Sequence, residues 1–161
     1  NEKLVQFSKA THLILRPHNI YGPRMGYSHV IPELIKKILK EKKKKTTKTV
    51  IFSPNHKRAF CYIDDAVDQI IKLSLNKKIK NTVFNIGNMK EEIKVINLAK
   101  KLKKELFKKS KLVRGPITAG SPYRRVPDMK KTQKVIKKYK YTNLNNGLIK
   151  TLDWYLKELK R

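Results

Sequence analysis

Short apolar runs alternate with longer amphipathic segments along this chain, and the alternation limits the folds that are open to it. Strands are predicted from the apolar runs at 11–16, 49–52, 59–63, 82–87 and 112–115. Helices are predicted at 2–9, 30–42, 95–107, 128–139 and 146–159, and another begins after Asp64 or Asp65, either of which caps it. Strands that alternate with helices are typical of α/β architecture, which is the predicted fold class.

The length and the ends of the apolar runs place the chain in a broad class. Its 161 residues are enough for a domain with a real core. No apolar run approaches the roughly 20 residues of a membrane helix, and the first ten residues are too polar for a signal peptide. The single cysteine, Cys61, cannot form an internal disulfide. These features predict a cytoplasmic protein with no membrane partner, and Asn1 in place of methionine suggests a processed or truncated chain.

The net charge of +28 leaves two interpretations open. A basic chain of this kind is compatible with a lysine-rich nucleic-acid-binding module, because phosphate neutralisation needs Lys and Arg. However, 33 of the 40 basic residues are lysines, whereas arginine, which binds phosphates and bases bidentately, is scarce. The lysines also lie on the polar faces and ends of predicted helices. A solvated basic surface is therefore the preferred interpretation, and nucleic acid is not the expected partner.

Four segments carry a more specific signal. They read LILRPHNIYGPRMG from residue 13, RAFCYIDDAVDQII from residue 58, VFNIGN from residue 83 and a closing segment from residue 122 that contains RRVPD. In this order and spacing they resemble the NAD-dependent epimerase/dehydratase family, the nucleotide-sugar-modifying branch of the extended short-chain dehydrogenases/reductases. The resemblance covers residues 2–159, nearly the whole chain.

Two family motifs are absent from the sequence. The six glycines never give the Gly-x-x-Gly-x-x-Gly turn that holds the cofactor pyrophosphate, and no tyrosine is followed by a lysine four residues on. The resemblance therefore implies the C-terminal part of a Rossmann-type enzyme, mainly its small α/β substrate-binding domain. Residues 1–24 would end the NAD-binding domain, and residues 25–161 would form the nucleotide-sugar-binding domain. It also implies a parent from a family whose members are often homodimers.

The resemblance assigns substrate-binding roles to several residues. Arg58 and Arg125 would clamp the diphosphate of a nucleoside-diphosphate sugar, and planar guanidinium groups suit phosphate oxygens. Arg124 is the alternative to Arg125, since the sequence does not tell which side chain points inward. Asn19 would bind the substrate near its diphosphate, although its amide could equally satisfy local backbone groups. His29 would reach the nucleotide, although it could also be a simple helix-entry residue.

The resemblance also implies a cofactor, NAD, bound mostly by a part that precedes this chain. Pro17, His18 and Asn19 would form a loop near the nicotinamide. No catalytic residue is assigned here, and no metal ligand, because the histidines lack ligand spacing and there is no cysteine pair. The parent would be an NAD-dependent nucleotide-sugar epimerase or dehydratase, with this chain alone inactive. A non-catalytic remnant, or a partner of a separate Rossmann half, remains an alternative.

Overall fold

A computed structural model describes residues 2–45 and 48–159 of the chain. The helices are α1 (Glu2–Phe7), α2 (Val30–Lys44), α3 (Ile63–Ser74), α4 (Val95–Leu106), α5 (Lys130–Val135) and α6 (Leu144–Glu158). The strands are β1 (Leu13–Pro17), β2 (Ile20–Tyr21), β3 (Lys48–Ile51), β4 (Lys57–Ala59), β5 (Cys61–Tyr62), β6 (Thr82–Ile86), β7 (Glu92–Lys94), β8 (Lys111–Arg114) and β9 (Arg124–Arg125). The outer limits of the two predicted domains, Asn1 and Arg161, lie outside the described residues.

The strands form four small sheets rather than one large one. Three are parallel pairs, which join β1 to β6, β2 to β5, and β3 to β8. The fourth has the order β7-β4-β9, in which β4 runs antiparallel to β7 and parallel to β9. Parallel neighbours need a crossover, and helices supply most of these connections. The predicted α/β class is confirmed.

The core is built from the apolar faces of α2, α4 and α6. The predicted buried face of α2 is confirmed, and all four of its apolar residues are at most 3% exposed. Tyr21 anchors the centre, with its ring edge-on to those of Phe60 and Tyr62. A side chain at Gly147 in α6 would overlap the Tyr21 hydroxyl, so this helix can approach only because that position is glycine. Within the described part, none of the helices has the length and apolar character required to span a bilayer.

The expected caps of α3 are wrong. The helix begins at Ile63, its N-cap residue is Tyr62, and no side chain caps it. Asp65 instead accepts hydrogen bonds from the backbone nitrogen and the hydroxyl of Thr142, at 2.8 and 3.0 Å. Burial raises the pKa of this carboxyl group, and the two hydrogen bonds oppose the shift. Asp65 therefore fastens the segment before α6 to α3.

Two predicted elements are shorter or more divided than expected. The helix predicted at 128–139 is reduced to the six residues of α5. The strand predicted at 59–63 is interrupted at Phe60, and its two pieces pair with different sheets. The very short strands β2, β7 and β9 were not predicted. Strand β4 carries the first arginine predicted to bind phosphate, and β9 carries the second.

Candidate functional site

The pairing of β4 with β9 places two arginines side by side. In this parallel register Arg58 is opposite Arg125, and Lys57 is opposite Arg124. Successive side chains of a strand point to opposite faces of the sheet, so Arg58 and Arg125 share one face. Burial, and then the positive charge of Arg125, lower the pKa of the Arg58 guanidinium below its ordinary value. Two cations that share a face repel each other unless an anion joins them.

Arg124 lies on the opposite face. Its guanidinium donates to both carboxylate oxygens of Glu92, at 2.9 and 3.0 Å. This pairing raises the pKa of Arg124 and lowers the pKa of Glu92. The structure therefore separates the two candidates that the sequence left open: Arg125 shares the face of Arg58, and Arg124 is held in an exposed ion pair on the other face.

A cleft of about 570 Å³ opens on the Arg58 face. It brings together most of the residues predicted from the sequence: Asn19, His29, Arg58 and Arg125, with Pro17 beside them. The rest of its wall is mixed, with apolar side chains that include Phe52 and Phe60 and hydroxyl groups from Ser53, Thr118 and Ser121. Neither Arg124 nor His18 is part of this lining.

Asn19 sits at a junction of three segments. It has a φ of 45°, in the left-handed region that asparagine tolerates better than most residues. Its Nδ2 donates to the carbonyl oxygens of Ala59, at 2.9 Å, and of Arg125, at 3.1 Å. The amide thus joins the turn after β1 to both β4 and β9, and it fixes the spacing of the strands that carry the two arginines.

The two histidines of this region differ in their surroundings. His29 precedes α2 in an extended conformation, makes no side-chain capping hydrogen bond and lines the cleft. His18 turns toward β6, where its Nε2 lies 3.2 Å from Oδ1 of Asn85 and its backbone nitrogen donates to Ile86. The His18 side chain thus points toward β6, whereas Pro17 and Asn19, the other two residues of the predicted cofactor loop, line the cleft.

The loop at 115–123 was not singled out from the sequence, yet it forms one wall of the cleft. Ser53 holds it at one end, where the backbone nitrogen of Thr118 donates to Ser53 Oγ at 2.9 Å. Arg58 holds it at the other end, where Nη2 donates to Ser121 Oγ at 2.8 Å. No local pattern signals these contacts, because the paired residues are 63 and 65 positions apart. Within the loop, the proline at 116 and the glycine at 120 are residue types typical of loops.

The charge balance of the cleft favours an anion. Within residues 2–45 and 48–159, neither Arg58 nor Arg125 forms an ion pair. Glu33, the acidic residue of the cleft wall, is paired with Lys37. A guanidinium has five N–H groups, and the contacts of Arg58 with Ser121, Lys57 and Tyr123 use three of them. The site can therefore bind an anion with two arginines at once.

Comparisons with known proteins show which proteins the chain is similar to. The chain resembles UDP-glucuronic acid decarboxylase 1 of Danio rerio, with 29% identity over 149 residues, and its Arabidopsis thaliana counterpart, with 27% over 135 residues. These matches cover 91% and 84% of this chain but only 34% and 30% of the relatives, so the chain spans about a third of their length.

Solved structures agree on the fold. UDP-glucose 4-epimerase of Thermotoga maritima, determined with UDP-glucose, has a TM-score of 0.79 and 26% identity over 98% of this chain and 50% of its own. UDP-glucuronic acid 4-epimerase of Bacillus cereus, in complex with UDP-glucuronic acid and NAD, has a TM-score of 0.77 and 28% identity over 91% and 45%. The model of the NAD dependent epimerase/dehydratase family matches residues 2–87, more than half of the sequence. The chain belongs to the NAD-dependent epimerase/dehydratase family.

Proposed function

We propose that this chain is the nucleotide-sugar-binding portion of an NAD-dependent epimerase or dehydratase, and that Arg58 and Arg125 bind the diphosphate of the nucleoside-diphosphate sugar. In this proposal residues 1–24 complete the cofactor domain, and residues 25–161 form the substrate domain. The observation that carries it is the unpaired Arg58–Arg125 couple in a cleft of about 570 Å³. Cavities of about 300–1,000 Å³ are typical of small-ligand sites.

The physical support comes from charge and shape. Charge-assisted hydrogen bonds from arginine to phosphate are strong and directional, and two arginines on one face can meet both phosphates of a diphosphate. Binding a dianion would also remove the repulsion between Arg58 and Arg125. The relatives named above act on UDP-glucuronic acid or UDP-glucose, according to their names, which favours this class of ligand over nucleic acid.

Asn19 and His29 complete the proposed binding site. Both amide hydrogens of Asn19 are engaged with the backbone, so a substrate hydroxyl would meet Oδ1, the acceptor of that side chain. His29 stands at the entry of α2, on the wall where we place the nucleotide. The apolar rings of Phe52 and Phe60 line the same cleft and provide surface for a base or a sugar.

The residues present do not fit a complete site for NAD. Its pyrophosphate needs a glycine-rich turn at a helix start, and the six glycines of this sequence provide none. Pro17 offers a wall, but His18 is turned toward Asn85. We therefore propose that NAD, which supplies hydride transfer in this family, is held mostly by residues outside this chain, and that this chain alone is inactive.

Calorimetric titration of the chain with UDP and with uridine tests the proposal. UDP should bind saturably, and uridine at least about tenfold more weakly, because a single charge-assisted hydrogen bond is worth about 1.5–3 kcal/mol. Inorganic pyrophosphate should compete with UDP. Equal affinity for UDP and uridine, or no competition by pyrophosphate, would contradict a diphosphate site at the arginines.

A further inference from the structure

A second layer of contacts lies behind Arg58. The guanidinium donates from Nη2 to Ser121 Oγ at 2.8 Å, and from Nη1 to the carbonyl oxygen of Lys57 at 2.8 Å. The Lys57 contact comes from the preceding residue in the same strand. The loop at 115–123 provides two contacts, the Ser121 hydroxyl at 2.8 Å and the carbonyl oxygen of Tyr123 at 3.4 Å, so Ser121 makes the shorter contact that ties the guanidinium to this wall of the cleft.

Ser121 is itself held from behind by a buried histidine. Nδ1 of His56 lies 3.4 Å from Ser121 Oγ, and His56 is only 3% exposed. The imidazole is fixed by the ring of Tyr123, which stands edge-on at 5.5 Å, and by backbone hydrogen bonds of His56 with Ser53 and Val95. A rigid histidine therefore limits where the serine hydroxyl can point.

From these contacts we propose that Ser121 is a positioning residue. It orients the Arg58 guanidinium toward the cleft, and His56 keeps the serine hydroxyl in place. The inference rests on the proposed diphosphate site for its consequence, but the orientation itself is a property of the free protein. A serine hydroxyl can accept from the guanidinium while it donates to an imidazole nitrogen, so one side chain satisfies both neighbours.

An arginine without this contact would have to be ordered by the ligand itself. Ordering a long side chain on binding costs conformational entropy, and a pre-oriented guanidinium avoids much of that loss. The repulsion from Arg125 makes restraint more necessary, because without Ser121 the free rotamers of Arg58 would favour positions farther from the second cation. Ser121 thus keeps the Arg58 guanidinium directed toward the cleft that Arg125 also lines.

The test measures UDP affinity and Arg58 mobility together. Ser121→Ala should weaken UDP binding by about three- to tenfold, the range of one ordinary hydrogen bond, because the serine acts on the ligand only through Arg58. Ser121→Thr, which keeps the hydroxyl, should restore most of the affinity. Ser121→Ala should have no further effect once Arg58 is alanine. Ser74→Ala, which removes a hydroxyl from the exposed end of α3, is the matched control and should bind as the unaltered chain does.

Nitrogen-15 NMR of the Arg58 Nε group, without ligand, tests the positioning role of Ser121 separately from the proposed diphosphate site. We expect slower guanidinium motion in the unaltered chain and in Ser121→Thr than in Ser121→Ala. Equal motion in all three, or the same loss of UDP affinity with and without Arg58, would overturn the positioning role. If UDP fails to bind the unaltered chain, the proposed function fails, and the guanidinium motion alone still decides the role of Ser121.

Discussion

Both faces of the β4–β9 pair carry arginine, but the two faces differ in whether an acidic side chain pairs with it. On the outer face, Arg124 is neutralised by Glu92 through two hydrogen bonds. On the cleft face, Arg58 and Arg125 stand together, and no acidic side chain of the described residues pairs with either. One strand step separates Arg124 from Arg125, so the difference lies in the direction of the side chain and not in its chemistry.

An uneven pairing of charges between two faces can indicate which face binds a ligand. A fold stabilises itself by pairing charges, as it does around Glu92, and an unpaired couple in a cleft costs stability unless a ligand completes it. The outer face is therefore structural, and the cleft face is the candidate for binding. The predictions below test that division, beginning with the largest expected effect.

Replacing Arg58 should produce the largest change in binding. Arg58→Ala removes the more buried and better-oriented cation of the cleft, so UDP affinity should fall about 100-fold, the upper range for charge-assisted hydrogen bonds. The matched control is Lys57→Ala, which removes a cation from the outer face of the same strand. Titration calorimetry on both variants would refute the division of faces if the lysine variant lost as much affinity as the arginine variant.

The contacts that hold β9 should also differ in strength between the faces. Asn19→Asp keeps the shape of the side chain but places a carboxylate against the carbonyl oxygens of Ala59 and Arg125, so we expect a loss of about 1–2 kcal/mol in the free energy of unfolding. Glu92→Gln breaks only an exposed ion pair and should cost less. Urea unfolding of both variants gives the comparison. An equal or greater loss for Glu92→Gln would contradict it.

The long elements of this fold are predictable from the sequence because each is specified by a pattern within one continuous segment. Helix α2 has apolar residues at helical spacing, which place Ile31 and Ile35 on one buried face. Strands β7 and β9 have three and two residues, too few for an apolar alternation to be recognised. They exist because β4 offers them a partner, and β4 and β9 are far apart in the chain.

The candidate site also depends on contacts between residues that are far apart in the chain, and the sequence does not show such contacts. The motifs indicated Arg58, Arg125 and Arg124, but the choice between the last two depends on the register of β4 with β9, which no local pattern contains. Asp65 was predicted as a helix cap because it stands at a helix start, whereas its partner, Thr142, is 77 residues away. Ser121 was missed for the same reason.

Titration of Glu92 tests whether the charges on the two faces of the β4–β9 pair act separately. The hydrogen bond and charge of Arg124 lower the pKa of Glu92 in the folded protein. A lowered carboxyl pKa contributes stability above the ordinary value, and this contribution is lost as the pH falls through the folded pKa, below about pH 4.5. Arg124→Ala should return the Glu92 pKa toward its ordinary value, and Arg125→Ala should leave it lowered. Carbon-13 NMR of the carboxyl group measures both, and a similar rise in the two variants would show that the faces are not separate.

The most direct measurement of the central claim compares two neighbouring arginines in one binding assay. UDP is titrated against the unaltered chain, Arg125→Ala and Arg124→Ala under the same conditions. The account predicts that Arg125→Ala weakens binding by about tenfold, while Arg124→Ala stays within about twofold of the unaltered chain. A larger loss from Arg124→Ala than from Arg125→Ala would show that the cleft face does not bind the diphosphate.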